Sequence, residues 1–158
     1  MGQRTGHKKT RRYALTLLEV VLVVAIMSIM AAIAIPRMGA GTRRAEESAL
    51  RKDLDHLHNA MEFYAVEHGG DYPTQVNQLL QYTDPMGDIR ATADNMHIYG
   101  PYLQNIPPLP VGAKRGCTGI DTADGDGVGW IVDWAQGKFK ANTRDTELDS
   151  QGIAYNSY

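Results

Sequence analysis

At 158 residues the chain has room, beyond its apolar N-terminal run, for one modest domain whose core is only just sufficient. Its formal net charge of −2 is unevenly spread: Arg4, Lys8, Lys9, Arg11 and Arg12 stand in the first fourteen positions with no acid, leaving 11 basic against 18 acidic residues beyond. The acidic remainder argues against nucleic-acid binding by phosphate neutralisation, and the single cysteine, Cys117, excludes an intrachain disulfide and a thiolate metal cluster.

The basic block at 1–14 precedes an apolar run from Leu15 to Ile35. Twenty-one helical residues rise roughly 31 Å, which matches a hydrocarbon core of about 30 Å. By the positive-inside rule the basic end stays in the cytoplasm. The rival reading is a secretory signal peptide, with Ala32-Ile33-Ala34 as a small-x-small cleavage site. A signal core is usually about 7 to 15 residues and has no use for an acid, whereas this run is longer and holds Glu19. A carboxylate at that depth costs a few kcal/mol on insertion scales and calls for a partner. Arg12 and Tyr13 can snorkel toward it within one chain, or the partner is a positive charge on another chain.

Pro36, Gly39 and Gly41 then predict a kink or a weakly helical stretch. Ala45, Ala49, Leu50, Leu54, Leu57, Met61 and Tyr64 recur at helical spacing and form one apolar stripe, with Glu46, Glu47, Arg51, Lys52, Asp55 and Glu62 largely outside it. This amphipathic continuation spans 36–68 and stops at Gly69-Gly70. Beyond it, 69–158 reads as a globular head. Asp71-Tyr72-Pro73-Thr74 is a turn leading into a short helix from Gln75 to Tyr82, which Asp84-Pro85 ends. A loop follows as far as Gly100, and the prolines from Pro101 to Pro110 favour an extended connector.

Next comes Ile120-Asp121-Thr122-Ala123-Asp124-Gly125-Asp126-Gly127, whose hard oxygens on a glycine-rich turn suit Ca²⁺ in chemistry but not in EF-hand spacing; the plainer reading is a solvated loop. Val128 to Trp134 alternates, with Trp130, Val132 and Trp134 on one face, and Lys138 to Asn142 follows a glycine turn, predicting a β-hairpin that covers the helix stripe. After Thr143 the tail is polar, and Ile153 and Tyr155 either add an edge strand or lie over the sheet.

Catalysis finds little support. His56 and His58 lie two residues apart on a helix and face apart, His68 and His97 lack companions at ligand spacing, and no phosphate loop or nucleophile elbow occurs. The five histidines read as exposed surface residues, and Cys117 as a small buried one.

The basic leader, Ala14-Leu15, Thr16-Leu17-Leu18-Glu19 and the apolar run to Pro36 together resemble the type IV pilin and type II secretion pseudopilin superfamily. In that family a prepilin peptidase cuts before a hydrophobic residue; counted from Leu15, Glu19 is fifth and Pro36 twenty-second, the family's positions for an acid and a proline. Ala14 stands where the family usually has glycine, and Leu15 where it has phenylalanine or methionine.

The resemblance implies an α+β pilin fold, with a long N-terminal helix, half transmembrane and half amphipathic, packed on a small antiparallel β-sheet. It implies cleavage of 1–14, N-methylation of Leu15, a transmembrane segment at 15–35, and assembly through Glu19 and Pro36, the Glu19 carboxylate pairing with the new α-amine of a neighbouring copy. Two charges that are costly apart in a medium of low dielectric attract strongly once paired, so docking sets registry. The implied setting is the inner membrane, crossed once, with the N-terminus cytoplasmic and the head periplasmic. The implied partners are other copies, the peptidase, an inner-membrane assembly platform and minor pseudopilins. Gly100-Pro101-Tyr102-Leu103, then Ile106-Pro107, resembles the loop before the sheet in major pseudopilins, although their Asp-Pro-Trp is Leu109-Pro110-Val111 here. Major pseudopilins carry Ca²⁺ in a loop before a comparable strand, which offers Asp124 and Asp126, with Asp121 as a third ligand. A lone cysteine cannot close the C-terminal disulfide usual in adhesive pilins, which favours a secretion pseudopilus. The rival class is a calcium-dependent binding module, secreted or membrane-anchored, made through an ordinary signal peptide.

Overall fold

A computed structural model describes residues 16–158, apart from the side chains at 32–40. The leader 1–14 and the cleavage and methylation positions Ala14 and Leu15 lie outside the described residues, as does the side chain of Pro36. Helix α1 runs from Leu17 to Glu67. Thr16 caps it: the Glu19 amide donates to the Thr16 carbonyl (3.0 Å) and to its Oγ1 (3.3 Å). Two compact units adjoin in sequence at Ala40 and Gly41. In the first, every described residue from Thr16 to Ala31 is exposed.

In the second unit the predicted stripe is buried from Leu50 onward. Leu50, Leu54, Leu57, Met61 and Tyr64 sink into a core with Trp130, Val132, Phe139 and Ala141, while Ala45 stays exposed and Ala49 only half-buried. Helix α1 ends where the glycines predict. Gly69 takes a positive φ of 72° and the Gly70 amide donates to the Ala65 carbonyl (2.7 Å), the 6→1 bond of a Schellman motif.

Helix α2 is shorter than the Gln75–Tyr82 expectation, spanning only Asn77–Leu80. The preceding turn is held by a side chain instead: Gln78 Oε1 accepts the amides of Thr74 (2.7 Å) and Gln75 (3.3 Å), and Gln78 Nε2 donates to the Gly87 carbonyl (2.9 Å). Strands β1 (Tyr82–Thr83) and β2 (Ile89–Arg90) then pair antiparallel, β1 starting on the last residue of the expected helix and β2 lying in the expected loop.

The main sheet holds β3 (Gly119–Asp121), β4 (Val128–Asp133) and β5 (Lys138–Ala141) in that order. The β4–β5 hairpin is antiparallel with Val132 opposite Phe139, and Gly137 supplies a positive φ of 65° in its turn. Trp130 and Val132 face the core as the alternation predicts, and Trp134 is half-buried at its edge. The sheet is not purely antiparallel, however: β3 runs parallel to β4, so the fold is α+β with a mixed sheet. Parallel neighbours usually need a crossover of about a dozen residues or more. Here only Thr122–Gly127 joins them, a segment that must fold tightly back on itself.

The tail resolves into neither of its two predicted forms alone. Leu148 and Ala154 form one antiparallel bridge, and a 3-10 turn at Tyr155–Ser157 buries Tyr155 in the core.

Candidate functional site

Two places carry the residues singled out by sequence, the start of α1 and the acidic loop. On α1, the stretch Thr16–Ala31 presents Leu17, Leu18, Leu22, Met27, Ile29 and Met30 at 61–84% exposure. Glu19 is its only ionisable residue, and its carboxylate has no hydrogen-bond or ion-pair partner among the described residues. Thr16-x-x-Glu19 also has the form of a capping box, a signal readable in the sequence, and the Thr16 half of it is made. Among the described residues, no helix is long and apolar enough to cross a membrane; Leu15 and the side chains at 32–35 of the predicted span 15–35 lie outside them.

In the acidic loop the three aspartates do not converge. Asp121 Oδ1 accepts from the adjacent Thr122 amide at 2.6 Å, a local contact within its own loop. Asp124 is ion-paired with Lys114, and its Oδ1 also accepts from Asn142 Nδ2 (2.9 Å). The Lys114 ammonium, then Asn142, hold the Asp124 carboxyl below the usual range. Asp126 is exposed. Among the described residues, no three His, Cys, Asp or Glu side chains are placed to hold a metal ion. The donors present do not fit Ca²⁺, which needs six to eight oxygens, because the position between the Asp124 carboxylate and the Gly125 carbonyl is taken by a cationic side chain.

A third arrangement was not visible in the sequence. Arg43, Glu47 and Arg51 recur every four residues along α1 and grip the tail. Arg43 donates to the Leu148 carbonyl (2.6 Å), and Glu47 accepts from the Ser150 amide (2.8 Å) and hydroxyl (2.7 Å). Arg51 donates to Tyr158 Oη (2.9 Å) and lies 4.9 Å over that ring. Asp149 completes the ladder: it is 3% exposed, accepts from Tyr158 Oη (2.5 Å) and from the amides of Ile153 (2.7 Å) and Gln151 (2.8 Å), and sits 3.7 Å from Arg51. These donors depress both carboxyls, Ser150 chiefly for Glu47 and Tyr158 chiefly for Asp149.

The histidines are not all exposed surface residues. His58 is half-buried, and the Phe139 amide donates to its Nε2 (2.9 Å), so it covers the free edge of β5. His68 is 8% exposed, stacks on Tyr64 at 3.8 Å, and places its two ring nitrogens 2.9 Å from the carbonyls of Tyr64 and Asp84. His97 pairs with Asp94 (2.8 Å), whose carboxyl the His97 and Met96 amides and the His97 ring hold well below its usual range. Only His56 fits the exposed reading among the four described. Cys117 is half-buried, and its carbonyl accepts the Leu109 amide (2.9 Å).

No family model matches the chain, and no solved structure matches it. Among curated proteins, the chain is similar to the type II secretion system core protein G of Aeromonas hydrophila, 28% identical over 107 residues that cover 66% of this chain and 71% of the relative. This similarity to a secretion-system core protein agrees with the resemblance to the pseudopilin superfamily, most like its major member, that Ala14-Leu15, Glu19 and Pro36 carry.

Proposed function

We propose that the chain is a structural, non-catalytic subunit of a type II secretion pseudopilus or a related filament. The observation that carries this reading is the start of α1, an exposed apolar helical surface with one unpartnered carboxylate. Exposed apolar area of this extent demands a cover, and the covers that suit a helix of this composition are lipid before assembly and neighbouring copies after it. The relative's description as a secretion-system core protein supports the same reading.

In this reading a prepilin peptidase removes 1–14, Leu15 becomes the N-terminus and is N-methylated, and residues 15–35 anchor the subunit in the inner membrane with the head in the periplasm. An assembly platform extracts it, the apolar helices bundle, and Glu19 accepts the α-amine of a neighbour. Minor pseudopilins share the filament. Pro36 marks the membrane-distal limit of the bundled segment.

N-terminal sequencing of the mature protein tests the processing step. A start at Leu15 is expected; a start at Ile35 means ordinary signal cleavage and ends the filament reading.

A further inference from the structure

We propose that Lys114 is the built-in cation of the 122–127 loop, so that the head folds without a bound divalent ion. The loop makes a demand the chain must meet locally. Thr122–Gly127 returns β3 to the start of β4 in far fewer residues than a parallel crossover usually takes, and it turns the Asp124 carboxylate and the Gly125 carbonyl toward one point. A carboxylate and a carbonyl oxygen aimed at one point favour a positive centre there.

The chain provides it. Lys114 Nζ is ion-paired with Asp124 and donates to the Gly125 carbonyl (2.9 Å), so one ammonium binds a side chain and a main-chain oxygen of the same turn. Asn142 backs the arrangement from the end of β5, giving one Nδ2 hydrogen to Asp124 Oδ1 (2.9 Å) and the other to the Val128 carbonyl (2.8 Å). Asn142 is 8% exposed, so this tie is fixed by the core rather than by solvent.

An ammonium on a flexible stem offers three donors without strict geometry, whereas Ca²⁺ would have to gather at least six oxygens from a loop whose Asp121 is turned onto Thr122. The two cations are alternatives for one place. This inference rests on the loop alone and holds or fails independently of the filament reading.

The test uses the full-length chain in detergent micelles, melted in millimolar CaCl2 and in excess chelator, with MgCl2 as a control for non-specific ion effects. The expected result is coincident wild-type midpoints, with Lys114→Met melting several degrees lower in chelator. A wild-type midpoint raised several degrees by CaCl2 but not by MgCl2 overturns the proposal, as does Lys114→Met melting with the wild type in chelator. Should Lys114→Met fail to fold, calorimetric titration of the wild type with CaCl2 decides: no saturable heat supports the built-in cation, and saturable binding refutes it.

Discussion

The two halves of α1 use the same kinds of residue to opposite ends. From Leu50 to Tyr64 the apolar positions occupy one stripe, and the chain buries them under its own sheet and loops, Leu50, Leu57 and Met61 completely. From Leu17 to Met30 they occupy every side of the helix and all stay exposed. A stripe specifies one cover, and a short domain can supply it. A helix apolar all round asks for an apolar environment on all sides, and 158 residues cannot build that as well as a head. Folding information therefore sits in the second half, and the first half is left for lipid and for other copies.

Substitutions that separate the halves sharpen this contrast. Glu19→Ala has the largest expected effect: filaments vanish from a shear-and-pellet assay while circular dichroism shows the head melting as in the wild type. Filaments at normal yield would remove Glu19 from assembly. Trp130→Ala does the reverse. Trp130 is wholly buried and donates to the Pro107 carbonyl (2.8 Å), so truncation costs about 3–5 kcal/mol of head stability in a denaturant melt. Leu22→Ala, on the exposed half, leaves that melt within about 0.5 kcal/mol.

Acid should find the tail ladder next. Glu47 and Asp149 have carboxyls lowered in the fold, so the stability they contribute is present above their unfolded values, about 4, and is lost as pH falls through the lowered ones. Melting midpoints followed from neutral pH into strong acid should fall steeply below about pH 4, and less steeply in Asp149→Asn, which starts lower. An unchanged slope in that variant would dissociate Asp149 from the acid response. Among the substitutions expected to destabilise the head, the smallest effect belongs to Gly69→Ala, where an added Cβ meets no atom but φ of 72° disfavours an L side chain; about 1 kcal/mol is expected in the same denaturant melt.

What could be read from the sequence follows from how local each signal is. The Leu50–Tyr64 stripe, the Gly69-Gly70 stop and the Trp130–Val132 alternation are periodicities or single-residue preferences confined to a few turns, and each appears in the fold. Strands β1 and β2 have two residues apiece, too few for any alternation to register. The parallel pairing of β3 depends on Gly119–Asp121 meeting β4 through a register no local pattern encodes. The ladder was hidden for a related reason. Arg43, Glu47 and Arg51 look like an exposed charged face at helical spacing, and only partners about a hundred residues later turn Glu47 into a buried acceptor. Lys114 gives no local signal either, because the partner that defines its role, Asp124, lies ten residues later on the acidic loop.

For the start of α1, the sequence says more than the fold of one chain can. Glu19 and Pro36 are defined by counting from Leu15, and a carboxylate without a partner in its own chain becomes informative only when a second copy is present. The most direct measurement is zero-length carbodiimide coupling in filaments assembled from mixed isotope-labelled and unlabelled subunits, followed by mass spectrometry. A peptide joining the Leu15 α-amine of one isotope to the Glu19 carboxylate of the other is the predicted product. Coupling confined to single chains, or absent from intact filaments, would contradict the account.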